Sequence, residues 1–414
     1  MNEAYDVAVI GAGIVGVSTA LHLQQRGKKV LLIDRREPGR ETSYGNAGII
    51  QTYDVLPFGV PPLIRIPQIL LNRDPAVRVH YPSLLRHLSW VLEFYWQSRP
   101  EGRRTNGRLM RPLNASALDE HRVLMRGTDV AHHLSAAGRI AIYRSKKSFD
   151  ASAWEFAFAK EMAVPFDITG PEEMADLEPH LKPVFYKAVR WISSARFTDP
   201  GVVTAAYAQR FVREGGIFMQ AAVRRITTNE GWRLETSVGV SDATEVVVCA
   251  GPWATDILKP LGYHFSLGIK RGYHQHFAPA DGASFKHAFT DIEFGYVLAP
   301  MEQGLRLDTG AEFADLDVMP NPAQLTDILP YARQLFPLGE LLEPHAWCGN
   351  RPCFADSRPV IDVAPRHPGL WLNIGHGHSG MTIGPSSARL LAEMMCGEKP
   401  FCDPTPYRAT RFSC

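Results

Sequence analysis

The sequence predicts an α/β protein: a discontinuous Rossmann-like nucleotide-binding domain joined to an α+β domain with a mostly antiparallel sheet. Three observations predict it. Tyr5–Ile10, the glycines Gly11, Gly13 and Gly16, the helical stretch Ile14–Arg26 and the apolar run Lys29–Ile33 ending in Asp34 read as strand, turn, helix, strand and acid. A further buried strand, Glu245–Ala250, closes in Gly251-Pro252-Trp253 only after a long stretch of other material, so the nucleotide-binding sheet draws on separated segments. Gly268–Phe277, Tyr296–Ala299 and Gly304–Gly310 then read as strands joined by turns without helices between them, the pattern of an antiparallel sheet.

Each part of the first unit has a physical role. Gly11 permits the tight turn, Gly13 lets backbone approach a pyrophosphate, and Gly16 lets the helix pack on the sheet. The helix start at Ile14 and Val15 supplies unpaired N–H groups and the positive end of the dipole. Asp34 is placed to accept both hydroxyls of a ribose, and Gly27 stops the helix.

Composition narrows the class. The chain has 414 residues, 45% hydrophobic and 21% charged, enough to bury two or three cores. A formal net charge of +1 excludes a global nucleic-acid electrostatic field. The six cysteines contain no C-x-x-C, so a disulfide framework is unsupported and a reducing cytoplasm is expected. The N-terminus runs straight into the first strand, leaving no room for a signal peptide, and no apolar segment reaches ~18 residues, so no membrane span is expected.

After Asp34 and Arg35, the stretch Glu41–Gly48 is small, polar and glycine-rich, suited either to a loop against a flat ligand or to an ordinary surface loop. Residues 53–102 are broken by Pro57, Pro61, Pro62, Pro67, Pro75 and Pro82. Their apolar pieces, Leu63–Leu71 and the Trp-rich Leu84–Trp96, read as a cap over the nucleotide domain or as an amphipathic face for a membrane or quinone-bearing partner. Helices follow at Leu109–Leu134, Ser152–Met162 and Gly201–Gly216, with strands at Gly138–Tyr143, Val189–Ile192, Ile217–Val223 and Leu234–Ser237. Pro330–Phe336 belongs to a helix. Leu370–Ile374 is a last buried strand leading through Gly375–Gly380 into a helix from about Thr382 to Met395.

Six spaced motifs then carry a resemblance: the glycine turn with Asp34; Thr42-Ser43 through Asn46-Ala47-Gly48; Ala250-Gly251-Pro252-Trp253; Arg271-Gly272-Tyr273-His274; Trp347–Pro352 with Asp356 and Pro359; and Gly375–Gly380. In these the chain resembles the FAD-dependent D-amino acid oxidase/dehydrogenase superfamily, nearest the bacterial D-amino acid (D-hydroxyproline) dehydrogenase branch. The resemblance implies an FAD-binding domain from 1–52, 103–135, 194–260 and 348–414, a Pro-rich excursion or cap at 53–102, and a substrate domain from 136–193 and 261–347. It places Asp34 on the adenosine ribose with Arg35 beside it, and Val223 with its backbone at the adenine. Thr42, Ser43, Asn46, Ala47 and Gly48 line the pyrophosphate and ring, and Ala250 and Gly251 also bind the cofactor. Gly377, His378, Ser379, Gly380, Met381 and Thr382 face the pyrimidine side of the flavin, where the last helix's N-terminus favours negative charge.

The resemblance also implies chemistry. Arg351, ahead of Pro352, stands where the family binds the substrate carboxylate; a structural ion pair is the bland alternative. Each hydrogen bond to the carboxylate would be worth roughly 1.5–3 kcal/mol. Tyr296 matches a tyrosine that helps hold it, and Tyr273 and His274 lie on a strand expected to border the cavity, His274 being the one candidate base. The expected reaction is hydride transfer from Cα of a D-amino acid to flavin N5, with electrons passing to a quinone or other acceptor. Two alternatives stay open: oxidation of N-alkylated, opine-like, cyclic or sarcosine/glycine-like amino acids, and a non-catalytic flavin-fold binding subunit. His274/His276 and His376/His378 are i, i+2 pairs that would share a strand face, but no further ligands are near in sequence and no metal is expected. No histidine lies in 42–48, and Cys348 and Cys353 do not match a covalent position, so non-covalent FAD is expected. The setting expected is cytoplasmic, with peripheral contact at the inner face of the membrane an open question.

Overall fold

A computed structural model describes residues 5–53, 56, 59, 63–228 and 230–412. The expectations at Pro57, Pro61 and Pro62 lie outside the described residues. The strand Tyr5–Ile10 is apolar and enclosed on both faces from Val7 onward. Val7 and Val9 point to a layer of helices, while Ala8 and Ile10 point to the opposite core, the period-two alternation of a central strand. It pairs in parallel with Val30–Asp34 on one side and Gly239–Val248 on the other. Ile217–Gln220 extends the parallel sheet beyond Val30–Asp34, and Leu370–Ile374 pairs in parallel with Gly239–Val248. Trp232–Thr236 and Val223–Thr228 complete it as an antiparallel ribbon.

Four helices cover one face: Ile14–Gln24, Pro100–Met125, Pro200–Arg213 and Gly380–Met395. The second of these runs from Pro100 and stops at Met125, where Gly127 takes φ +71°. Proline fits the first helical turn because its missing N–H would have no partner there. The predicted span to residue 134 instead ends in a short 3-10 turn, Val130–His133, and a bridge strand. The third helix starts at Asp199-Pro200, with the Asp199 carboxylate accepting the Val202 N–H at 2.9 Å. The single strand predicted over 217–223 is two, broken at Ala221-Ala222, because Ile217–Gln220 and Val223–Thr228 pair with different neighbours.

The second sheet is built on the long strand Gly268–Pro279. It pairs antiparallel with Gly304–Asp308 and Trp347–Cys353, and the sheet continues through Tyr296–Met301, Ala288–Asp291, Arg139–Tyr143, Lys187–Trp191 and Phe166–Thr169. Two pairings in it are parallel, Ala288–Asp291 with Arg139–Tyr143 and Ala311–Phe313 with Val77–Val79. Its register aligns Lys270 with Arg351, Gly272 with Gly349, and His274 with both Trp347 and Asp308. Directly opposed residues share a face, so these groups stand together on one side of the sheet. Tyr273 and Phe277 point to the other side, into a core with Phe289, Leu298 and Leu307.

Around the strand Val77–Val79, residues 63–97 form short helices, of which Leu88–Gln97 is the longest. Trp90 and Phe94 pack against Cys353, Ala355 and Phe313, while Leu92 and Trp96 are 60% and 64% exposed. The helix therefore caps with one edge and presents an apolar edge to solvent. Among the described residues no helix is long and apolar enough to cross a membrane.

Candidate active site

The carboxyl ends of the parallel strands face the second sheet across one cavity of about 1150 Å³. Ligands of open α/β sheets bind at this edge. The glycine turn forms its floor. Gly11 has φ +110° and packs so closely on the Cys249 carbonyl that a β-carbon would overlap it. Gly16 lies behind the turn, against the Gly11 carbonyl, and does not line the cavity. Gly13, Ile14 and Val15 do line it, and the helix they open has no side-chain cap. Of its first N–H groups, that of Ile14 donates to Ser43 Oγ at 3.0 Å.

Asp34 stands at the cavity wall and accepts the Ala12 N–H at 2.7 Å and the Arg36 N–H at 2.9 Å. Burial raises its pKa, opposed by those two backbone donors. An ionised carboxylate has about four acceptor sites, so two remain for hydroxyl groups. Arg35 lies 3.9 Å over the Trp253 ring and pairs with Glu41 at 2.8 Å. Val223, Ala250 and Gly251 line the same region.

The loop after Asp34 ties the two sheets together. Thr42 Oγ1 donates to the Asn350 carbonyl at 2.8 Å, next to Arg351. Asn46 and Ala47 line the cavity, and the Asn46 carbonyl accepts Arg306 Nη1 at 2.7 Å. Gly48 is set back, with φ +72° and no room for a β-carbon beside the Phe197 carbonyl. At the last strand's end, Gly377, His378, Gly380 and Met381 line the cavity. Ser379 borders a smaller adjoining cavity, and Thr382 Oγ1 bonds the Ile49–Gln51 backbone instead. These backbone donors, glycine contacts and an accepting acid suit a dinucleotide. Asp34 would hold the ribose and the helix starting at Ile14 the pyrophosphate.

Arg351 lines the cavity from the second sheet. Its Nη1 donates to the Gly310 carbonyl at 2.7 Å, and its guanidinium fills the space above Gly272. Among the described residues its hydrogen bonds go to backbone carbonyls and no carboxylate lies within ion-pair distance of it, and desolvation lowers its pKa. Lys270 stands beside it, 3% exposed, its ammonium 3.5 Å from the Phe94 ring centroid. Burial pulls that pKa down to about 8. Asp308 lines the wall next to them, its carboxyl pushed up to about 7 by burial against the opposing pull of Arg306 and Arg351.

Three sequence expectations need correction. Tyr273 does not border the cavity: strand alternation turns it into the opposite core, where its hydroxyl bonds Glu312 and the Asn321 N–H. Tyr296 is likewise fully buried on the far face, its hydroxyl engaged by Arg144 at 3.2 Å and the Tyr331 carbonyl at 3.3 Å. Its neighbours Gly295 and Val297 line the cavity in its place. His274 faces the right side but sits behind the wall, stacked on Trp347 with ring centroids 4.9 Å apart.

His376 and His378 do not share a strand face, because Gly375 and Gly377 take positive φ and turn the chain between them. His274 and His276 do, and with Glu343 they bring possible ligand atoms within 4.8 Å. Both nitrogens of His276 are already engaged, by Glu343 Oε1 at 2.8 Å and Arg306 Nε at 2.9 Å, and a guanidinium there opposes a cation. Asp308 and Lys270 were missed from sequence. The signal available was a charged residue in step with Gly272 or with Gly310 on a strand otherwise bound for the core.

Comparison with known proteins agrees with this arrangement. Residues 6–394 match the family model described as DAO, FAD dependent oxidoreductase. The chain is 28% identical over 424 residues to a D-amino-acid oxidase of Bradyrhizobium diazoefficiens, covering 100% of both chains. It is 27% identical to a D-amino acid dehydrogenase of Chromohalobacter salexigens, covering 98% of this chain and 99% of the relative. Glycine oxidase from Geobacillus kaustophilus has the same fold, with a TM-score of 0.74 at 20% identity over 99% of this chain and 100% of that one. A glycine turn with a buried acid at its cavity wall, closed over by a second sheet that carries an arginine with no carboxylate partner among the described residues, thus coincides with a family match over nearly the whole chain: the protein belongs to the DAO family of FAD-dependent oxidoreductases.

Proposed function

We propose that this enzyme oxidises D-amino acids at the bond between Cα and the amine, giving an imine that water converts to a 2-oxo acid. The observation that carries the reading is Arg351, a guanidinium on the cavity wall with no carboxylate partner among the described residues. A planar guanidinium takes a carboxylate through two parallel hydrogen bonds and so fixes the orientation of Cα. Relatives named D-amino-acid oxidase and D-amino acid dehydrogenase, aligned end to end, support the substrate class. FAD, when bound, supplies the hydride acceptor.

The chain's own residues position and desolvate. Arg351 orients the carboxylate, and Gly272 keeps the space it needs. Phe94, Val91 and Leu88 form an apolar wall that excludes water and suits an apolar or cyclic side chain. That wall favours, as the second reading, cyclic or N-alkylated amino acids as substrates. The same helix edge faces outward: Leu88, Leu92 and Tyr95 line the cavity and are 48%, 60% and 37% exposed. We place the approach of the electron acceptor, a quinone or a partner's redox group, at this edge, with peripheral contact at the inner face of the membrane. The substrate reading is tested by anaerobic reduction of the bound flavin with separate D- and L-amino acids. Reduction by D-forms supports it, and reduction by N-alkylated substrates alone favours the second reading.

A further inference from the structure

Oxidation of an amine by loss of hydride from Cα requires the nitrogen lone pair, so an ammonium substrate must first lose a proton. We propose that Asp308 takes that proton, and that His274 stands behind it to accept a hydrogen bond from the resulting carboxylic acid. The inference rests on the amino-acid reading above and assigns it an acid–base group.

The geometry is specific. Asp308 lines the cavity beside Arg351, and its Oδ2 has no hydrogen-bond partner among the described residues although it is sealed from solvent. His274 Nδ1 is also buried and without a partner, 3.9 Å from Asp308 Oδ1. A buried carboxylate oxygen and a buried imidazole nitrogen left without partners on neighbouring side chains are costly unless a proton is placed between the two groups. At 3.9 Å the contact is not yet a hydrogen bond, and free-enzyme geometry in catalytic pairs is often loose.

The charges around the pair decide who holds the proton. Arg306 lies on the same strand as Asp308, Arg351 on the strand Trp347–Cys353, and His274 and His276 on Gly268–Pro279. Glu343 faces His276, and the neighbouring strand contributes only Val297 opposite Asp308. Burial, then Arg306, His276 and Arg351, hold the His274 ring neutral, the Gly45 backbone acting in the opposite sense. The carboxyl is raised toward neutrality by its burial. The pair therefore gains one proton near neutral pH, on Asp308, with a neutral imidazole beside it. In the step proposed, one N–H bond of the ammonium breaks and one O–H bond forms on Asp308. The amine keeps the electron pair, and nothing is oxidised or reduced until hydride leaves Cα.

The test has two arms on the FAD-loaded enzyme. Infrared difference spectra between acid and alkaline pH, without substrate, should show a carboxylic-acid band that titrates near pH 7 and is absent in Asp308→Asn; its absence from the wild type overturns the shared proton. In anaerobic flavin reduction by a D-amino acid, the wild-type rate should rise with pH through that ionisation. Asp308→Asn should slow reduction by about 10²-fold or more and lose the rise, and Asp308→Glu should recover it. Wild-type rate and pH profile in Asp308→Asn would overturn the proposal. Where Asp308→Asn does not retain flavin, His274→Phe decides: the rise should move to lower pH as the acid loses its acceptor, and an unmoved profile counts against the pair. If no amino acid reduces the wild-type flavin, the substrate reading fails while the infrared arm still reads the pair.

Discussion

Arg351 occupies the space that a side chain at residue 272 would need: a β-carbon on Gly272 would overlap its Cζ and Nη2. The two are diagonal neighbours across the Gly268–Pro279 and Trp347–Cys353 ladder, two residues apart in register and on the same face. A glycine on one strand thus sets where the guanidinium on the next one stands. Gly272→Ala should retain flavin and raise KM for amino-acid substrates by tenfold or more, about 1.4 kcal/mol. Steady-state kinetics with flavin content as control checks this. An unchanged KM would detach the glycine from the site.

Arg351→Ala removes the carboxylate's partner itself. The loss of two charge-assisted hydrogen bonds at roughly 1.5–3 kcal/mol each should raise KM at least about a hundredfold while FAD stays bound. Arg351→Lys should recover only part, since an ammonium lacks the planar fork. Equal KM in wild type and Arg351→Ala would remove Arg351 from the substrate site.

Asp34→Ala should act on the other end of the cavity. It deletes the acceptor of the Ala12 N–H as well as the acid assigned to the ribose, so the turn loses a bond at 2.7 Å and FAD its partner. Fluorescence titration of the apoprotein with FAD should show weaker binding, with KM for substrate unchanged once FAD saturates. Wild-type FAD affinity would contradict the ribose assignment.

Buried histidines predict an acid-side loss of stability. His121 is enclosed, with its nitrogens at the Tyr207 hydroxyl and the Met381 carbonyl, and burial lowers its pKa to about 4. Between that value and the ordinary 6.5 the unfolded chain binds a proton that the folded chain refuses. Stability from this group is complete above 6.5 and falls as pH drops, by about 1.4 kcal/mol per pH unit and about 2 kcal/mol at pH 5. Asp308, with its raised pKa, acts in the opposite direction over a similar range, so the variant comparison isolates the term. Urea unfolding of His121→Gln at pH 7 and pH 5 should show a pH difference shifted by about 2 kcal/mol from wild type. Identical pH differences would contradict the neutral buried imidazole.

The exposed apolar edge of the consecutive helices Tyr81–Arg86 and Leu88–Gln97 predicts surface binding. Leu85 and Trp96 are 71% and 64% exposed and lie outside the cavity wall. Leu85→Glu with Trp96→Glu should reduce cosedimentation with anionic lipid vesicles and leave anaerobic flavin reduction unchanged. Absence of vesicle binding by the wild type would contradict the membrane approach.

The parallel unit was legible because local signals agree there. Tyr5–Ile10 begins and ends where its apolar run does, and Gly11, Gly16 and Asp34 each meet the neighbour that their residue type requires. The second sheet was legible as strands but not as faces. Tyr273 and Tyr296 carry polar hydroxyls that find partners in a core, in Glu312 and Arg144, and one-residue alternation reverses which neighbour meets the cavity. Asp308 and Lys270 escaped for the converse reason. Both are buried charges, which strand patterning alone reads as solvent-facing. Their environment arises only when strands distant in sequence are laid side by side.

The most direct measurement of the central claim is anaerobic flavin reduction in the purified FAD-loaded enzyme against a panel of D- and L-amino acids, including D-proline and cis-4-hydroxy-D-proline. Bleaching of the oxidised flavin band by D-forms is expected, at rates ranked by side chain. No bleaching by any D-amino acid, with FAD bound, would contradict it.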